Sequence, residues 1–375
     1  MSVAAALLSS AFLWTAVAAN ADAADLPSPS NLPDGFEVAS PAGARLDVAP
    51  LLHLRDAVAK GDYPKTTSVL VVHQGKLVYE GYFGDGNREL LNDTRSATKS
   101  ITSLAIGTAI DDGAISSQHA PAFPYLGDLR PFQNDSADKE AITIEDMLTM
   151  SSALDCNDDD DKSPGNEDKM HPQRSWARWA VDLPTMGGYR RDSSGLGPWR
   201  YCTTGAFLLG QILQRVTRSP VDKYIQRRIL APLGITHWQW PYSPTGETMT
   251  GGGLRLRSRD LAKIAWMLTD GGRWKGQQIV ASSWVDSMLS VRRIAYSGAN
   301  YGYLIWQRDY ATPCGPLSGW YMAGNGGNAI VVLRNLRTAI VVTRTNYNSR
   351  GMHRQTVDLL ERYVLPALPC APSVR

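Results

Sequence analysis

The chain has 375 residues, 43% of them hydrophobic and 20% charged, enough apolar material for a large core in one domain or two interleaved ones. A formal charge of +2 and an isoelectric point near 8.3, with no long basic run, give no basis for a nucleic-acid partner.

Residues 1–23 read as a cleavable signal peptide: Val3 to Ala19 is apolar or small, and Ala19-Asn20-Ala21 and Ala21-Asp22-Ala23 follow. No Lys or Arg precedes the apolar stretch, so an N-terminal helix or a membrane anchor is the rival reading. The expectation is an exported protein, periplasmic or secreted, with no stable membrane span after cleavage. Residues 24–45, rich in Pro, Ser, Gly and Asn, read as a linker. A single domain is expected over 46–366, with a tail at 367–375.

Leu51 to Val58 fits a helix closed by Gly61, and Thr67 to Gly84 fits a hairpin turning at Gln74-Gly75. Next comes Ser96-Ala97-Thr98-Lys99. Behind it Ile101, Leu104, Ala105, Thr108, Ala109 and Ile110 recur at helical spacing, with Gly113 as a stop. Positions i and i+3 share a helix face, which places Lys99 beside the Ser96 hydroxyl. A serine alcohol needs such a base to act as a nucleophile, and a helix N-terminus favours the negative charge that develops. The same S-x-x-K pattern recurs at Ser136-Ala137-Asp138-Lys139, in a polar stretch that reads as a solvated loop.

Thr143 with Asp146 opens a helix through Met150 as a capping box. Residues 155–171 form an acidic irregular loop without the glycine and terminal glutamate of a calcium loop, so no metal is assigned. Trp176 and Trp179 mark a short helix, and Ala206 to Leu213 another after Tyr201-Cys202-Thr203. Ser219-Pro220 opens a third, with Pro at its first position. Gly251-Gly252-Gly253 precedes a helix from Ser258 through Met267, ended by Gly271-Gly272. Short strands are expected at Tyr301–Trp306, Trp320–Ala323, Ala329–Leu333 and Thr338–Thr343, then a helix over Arg350–Leu365. Strands at both ends around a helical middle suggest one mostly antiparallel sheet with a helical insertion.

The cysteines are Cys156, Cys202, Cys314 and Cys370, with no zinc-ligand spacing. In an exported chain an even number suggests two disulfides. Cys156–Cys202 with Cys314–Cys370 is the expected choice among three possible pairings, and four buried thiols are the alternative in a reducing compartment.

Three stretches carry chemistry together: Ser96-Ala97-Thr98-Lys99, Tyr201-Cys202-Thr203 and Gly324-Asn325-Gly326-Gly327-Asn328. With Thr143–Ser152 and Gly251–Arg255 they resemble the penicillin-recognising serine hydrolases over roughly Thr67 to Tyr363. That group holds class C β-lactamases, D-alanyl-D-alanine carboxypeptidases, family VIII esterases and nylon-oligomer hydrolases. The resemblance implies an α+β (α/β sandwich) fold, a mostly antiparallel sheet flanked by helices, with a helical subdomain inserted at roughly 114–250.

It also implies roles. Ser96 is the acylated nucleophile, Lys99 its base and Tyr201 a second proton carrier. The backbone N–H groups of Ser96 and Asn328 form an oxyanion hole, while Thr203, Asn325, Gly326 and Gly327 touch substrate. No cofactor or metal is implied. On spacing alone, Tyr201 is equally a core tyrosine and Gly324–Gly327 a hairpin turn. No G-x-S-x-G elbow is present, which disfavours an α/β-hydrolase triad. Many relatives carry Lys or His where Asn325 stands, so the charge-assisted grip on a substrate carboxylate is missing. The expected substrates are therefore small esters or amides, with weak action on β-lactams. A D-alanyl-D-alanine carboxypeptidase or true β-lactamase is the enzymatic alternative, and a catalytically silent scaffold is the alternative of another class.

Overall fold

The computed structural model describes residues 26–296 and 299–370, so the expected signal peptide and residues 371–375 lie outside the described residues. One sheet organises the molecule. Its strands in chain order are β1 (Glu37–Val38), β2 (Thr66–His73), β3 (Lys76–Tyr82), β4 (Arg293–Ile294), β5 (Asn300–Tyr301), β6 (Trp306–Tyr310), β7 (Leu317–Gly324), β8 (Asn328–Leu333) and β9 (Thr338–Arg344). They lie side by side as β1-β3-β2-β9-β8-β7-β6-β5-β4. Only the β1–β3 pairing is parallel.

The expected hairpin is β2–β3, and its turn has Gln74 and Gly75 at φ 51° and 86°, the left-handed pair that matches strand twist. All eight residues of β2 are buried because the sheet is covered on both faces. Leu70 and Val72 point into one core, and Val69 and Val71 into the other. Strand β9 divides in the same way, with Ala339 and Val341 opposite Ile340 and Val342.

Helix α1 (Val48–Lys60) and helix α5 (Met352–Leu359) cover the second face through Leu51, Leu54 and Leu359. The first face receives α2 (Thr98–Asp111), α3 (Thr203–Thr217) and α4 (Ser258–Thr269), with Ile101, Leu104, Phe207, Leu261 and Ile264 in one continuous core. Most of the chain between β3 and β4 is helical or irregular, which is the expected helical insertion into the sheet. The capping box is present: Thr143 accepts from the Asp146 N–H at 3.1 Å, and the Asp146 carboxylate accepts from the Thr143 N–H at 2.8 Å.

Several expectations are corrected. Residues 26–45 are not a free linker: Leu26 and Phe36 are 3% and 5% exposed, and β1 joins the sheet. The buried Arg259 guanidinium holds this segment by bonding Asp34, the Ser30 carbonyl and Glu80. The tail begins packed too, since Ala367 and Leu368 are buried. Pro220 is the residue before its helix (Val221–Ile225) rather than its first residue. The strand expected over Tyr301–Trp306 is two strands separated by a bend, where Leu304 adopts φ 55°. The second S-x-x-K is no solvated loop. Ser136 caps a one-turn helix (Ala137–Glu140), and Lys139 is fully buried with its ammonium on the Val181 carbonyl.

Both expected disulfides form, Cys156–Cys202 and Cys314–Cys370, with Cα separations of 5.4 and 5.6 Å. Among the described residues no helix is long and apolar enough to cross a membrane.

Candidate active site

Ser96 lies in a short 3-10 turn (Arg95–Ala97) that runs into the N-terminus of α2. Arg95 enters the turn at φ 49°, with its N–H on the Asp93 carboxylate at 2.9 Å. Lys99 follows one turn on. Its ammonium donates to Ser96 Oγ at 3.0 Å and to the Gly251 carbonyl at 2.6 Å. Lys99 is 1% exposed, so these two oxygens replace the water it would otherwise hold.

The segment 250–254 is laced to this helix start. Thr94 donates to the Leu254 carbonyl, the Leu254 N–H donates to Thr98, and Thr102 donates to the Thr250 carbonyl. In the sequence, Gly251–Arg255 is one of the stretches that carry the resemblance. Its function as the platform for Lys99 depends on contacts across about 150 residues of chain, which no local pattern reveals.

Tyr201 arrives from an irregular run ahead of α3. Lys99 Nζ stands 4.9 Å from its ring centroid. The ring stacks on Trp306 at 6.0 Å and 26°, and Trp199 and Tyr301 pack edge-on against Trp306. Sequence reasoning missed this aromatic wall, because Trp306 belongs to a strand whose start was misplaced.

The structure thus brings Ser96, Lys99 and Tyr201 together. Of these, Ser96 faces a cleft of about 440 Å3 lined also by Glu167, His171, Trp176, Trp240 and Asn325. The charged side chains Asp93, Arg95 and Arg255 line it as well. Asp93 lies 3.3 Å from the Arg95 guanidinium and 3.8 Å from that of Arg255, so both cations are partly neutralised.

The third stretch is the turn between β7 and β8. Gly324 is placed so that an added Cβ would sit 2.1 Å from the Thr94 carbonyl oxygen, which lets the end of β7 lie against the segment leading to Ser96. Asn325 reaches the cleft, and its side-chain amide is occupied at both ends by Asn348. Gly326 and Gly327, at φ 91° and 88°, make the turn. Neither lines the cleft: a Cβ on the first would meet Tyr347, and one on the second Thr356 and Met352. Asn328 is 1% exposed and pairs with Gly324 across the ladder. Its amide donates to the Asn325 carbonyl and accepts from the Arg344 N–H. Thr203, expected to touch substrate, is fully buried and does not line the cleft.

The acidic loop supplies an unexpected member. Asp158 Oδ2 accepts the Thr203 N–H at 2.7 Å, and its Oδ1 accepts the Glu167 N–H at 2.9 Å. Burial raises the Asp158 pKa, and the Glu167 charge adds to the rise. The Lys99 charge and the Thr203 bonds oppose it. Charge runs are usually solvated, and Asp159, Asp160 and Asp161 are exposed; Asp158, two residues from the Cys156–Cys202 disulfide, is the exception. Among the described residues no cluster of His, Cys, Asp or Glu is arranged to hold a metal ion.

A beta-lactamase family model matches residues 54–364. The 6-aminohexanoate-dimer hydrolase of Paenarthrobacter ureafaciens is 27% identical over 237 residues, covering 60% of this chain and 57% of that protein. Protein flp of Staphylococcus aureus (strain MRSA252) is 27% identical over 191 residues, 48% of this chain and 35% of that protein. The chain thus spans less than two thirds of the curated relatives it matches.

Solved structures of similar fold include a D-stereospecific amidohydrolase from Streptomyces sp. at TM-score 0.62 and 18% identity, covering 84% of this chain and 98% of that one. EstCE1, a hydrolase with promiscuous acyltransferase activity, has a TM-score of 0.65 at 15% identity, with the same coverage. The antiparallel sheet with its helical insertion, the Ser96–Lys99 pair at the start of α2 and the matched span agree: the chain belongs to the beta-lactamase family.

Proposed function

We propose that this protein is an exported serine hydrolase that cleaves small carboxylic esters and amides through an acyl-enzyme on Ser96. The observation that carries the reading is the 3.0 Å hydrogen bond between Lys99 Nζ and Ser96 Oγ, beside Tyr201 and at the mouth of a cleft.

In the proposed cycle Ser96 Oγ attacks the substrate carbonyl carbon while the Lys99 amine takes its proton. We assign the oxyanion to the peptide N–H groups of Ser96 and Asn325, in place of Asn328, because Ser96 and Asn325 both line the cleft and Asn328 does not. Tyr201 delivers a proton to the departing alkoxide or amine and recovers one from Lys99. Water then attacks the acyl carbon, its proton returning through Tyr201 and Lys99 as Ser96 is released.

The side chain of Asn325 is held by Asn348, and Asp93 offsets Arg95 and Arg255. Each arginine among the described residues lining the cleft thus has a carboxylate within 4 Å, which favours neutral esters and amides over β-lactams or D-Ala-D-Ala peptides. The name of the 6-aminohexanoate-dimer hydrolase is in keeping with hydrolysis. Two disulfides support an oxidising compartment.

Rates on p-nitrophenyl butyrate, nitrocefin and a D-Ala-D-Ala peptide test the reading. The ester is expected to turn over fastest. A fastest rate on the peptide overturns the substrate assignment, and no turnover of any of the three overturns the activity.

A further inference from the structure

Tyr201 is the one member of the reacting trio that no helix or strand holds. It lies in an irregular run, residues 196–202, just before α3. Yet Tyr201, Cys202 and Thr203, the first residue of α3, are all tied to one short piece of the acidic loop. The Tyr201 carbonyl accepts from the Asp158 N–H at 2.8 Å. Cys202 is disulfide-bonded to Cys156. The Thr203 N–H, free at the start of α3, donates to Asp158 Oδ2 at 2.7 Å.

The loop that supplies these ties is itself braced. The Gly165 N–H donates to the Asp155 carbonyl, the Asn157 N–H to Ser163, and the Asn166 amide to the Asp158 carbonyl. The second Asp158 oxygen takes the Glu167 N–H. A carboxylate at a helix N-terminus is favoured by the helix dipole, so α3 helps to hold Asp158 as Asp158 holds α3. Residues 200–202 are otherwise restrained by the packing of the Tyr201 ring on Trp306, Trp199 and the Lys99 ammonium, by the Arg200–Asp155 ion pair, and by the Arg200 and Cys202 N–H groups on the Met150 carbonyl and sulfur.

We propose that Asp158, together with the Cys156–Cys202 disulfide, is a positioning device that fixes the Tyr201 hydroxyl for proton delivery to the leaving group. Asp158 acts through the backbone on either side of Cys202 and need not touch substrate. This rests on the reading of Tyr201 as a proton carrier. The splint sets the direction of the ring, and a displacement near 1 Å in such a group costs on the order of 10²-fold in rate.

The test uses the leaving group. A p-nitrophenolate departs without help, whereas an ethoxide or an anilide nitrogen needs a proton. kcat and KM are measured on a p-nitrophenyl ester, the matching ethyl ester and the matching anilide, for the wild type, Tyr201→Phe, Asp158→Ala and the Cys156→Ser/Cys202→Ser double variant. Asp158→Ala and the double variant are expected to lose about 10²-fold in kcat on the ethyl ester and anilide. The p-nitrophenyl ester should lose far less, with KM little changed and the pattern following Tyr201→Phe.

Equal losses on all three substrates, or none, while Tyr201→Phe shows the leaving-group dependence, overturn the splint and leave the role of Tyr201 standing. A Tyr201→Phe enzyme without that dependence overturns the proton-carrier reading and the splint with it. Should Asp158→Ala not fold, Asp158→Asn, which keeps one acceptor oxygen, and wild type reduced with dithiothreitol carry the same comparison.

Discussion

The ammonium of Lys99 is held by the carbonyl of Gly251 at 2.6 Å, a contact that spans 152 positions of the chain. It fixes the lysine at 3.0 Å from Ser96 Oγ with its stem fully enclosed by protein. The bond also ties the helix that follows Ser96 to a segment lining the cleft, since Gly252 and Gly253 follow directly.

Lys99→Met keeps the length of the side chain and removes the base. kcat/KM on a p-nitrophenyl ester is expected to fall by about 10²–10⁴-fold. Initial rates over a substrate series check this, with a thermal melt run in parallel to show that the variant is folded. A folded variant with wild-type rates contradicts the role of Lys99.

Asp93→Asn tests what governs charge selection in the cleft. The asparagine keeps an oxygen for the Arg95 N–H and withdraws the charge that offsets Arg95 and Arg255. Anionic substrates should gain: the ratio of kcat/KM for nitrocefin to that for a neutral ester is expected to rise several-fold, about 1 kcal/mol of recovered charge interaction. An unchanged ratio removes those arginines from substrate recognition.

The parts of this site visible in the sequence were those encoded within a turn or two of chain. Ser96 and Lys99 are i, i+3 neighbours, Thr143 and Asp146 form a capping box, and Gln74-Gly75 makes a hairpin turn, so periodicity and capping chemistry reach them. Asp158 was hidden in a run of aspartates whose local character is that of solvent-exposed loop. The disulfide from Cys156 to a residue 46 positions away, with the Thr203 and Glu167 N–H groups on its carboxylate, turns it inward. Thr203, Gly326 and Gly327 sat at motif positions but are covered by Gly251, Tyr347, Met352 and Thr356, neighbours that the motif does not contain. The N-terminal segment resembled a linker because its order comes from Arg259, far along the chain.

Gly324→Ala tests the close approach of β7 to the segment before Ser96. The added methyl meets the Thr94 carbonyl at 2.1 Å, so the backbone must separate. Such overpacking costs about 1–3 kcal/mol of stability. A lowered urea midpoint together with a fall in kcat is expected. A variant with the wild-type midpoint and rate contradicts the contact.

The buried ion pair between Arg259 and Glu80 sets the behaviour in acid. The two side chains are 4% and 3% exposed and meet at 2.6 Å. Burial alone would raise the Glu80 pKa, but the bonds from Arg259 and Tyr82 and the charge of Arg259 outweigh it, so the pKa lies below its ordinary 4.5. A carboxylate with a lowered folded-state pKa stabilises the fold above its unfolded-state pKa, and the contribution is lost as pH falls through the folded value. Urea midpoints should therefore drop as pH falls below 4.5. Glu80→Gln should show a shallower dependence there and lower stability at neutral pH. Arg259→Leu strands the Glu80 charge and is expected to cost about 3–5 kcal/mol at neutral pH.

The central claim is that Ser96 forms the covalent intermediate. Incubation of the folded protein with a fluorophosphonate, followed by peptide mass mapping, is the most direct measurement. The account predicts one adduct on Ser96, lost in Ser96→Ala and slowed in Lys99→Met. An unlabelled wild-type protein, or an adduct at Ser136 in place of Ser96, would contradict it.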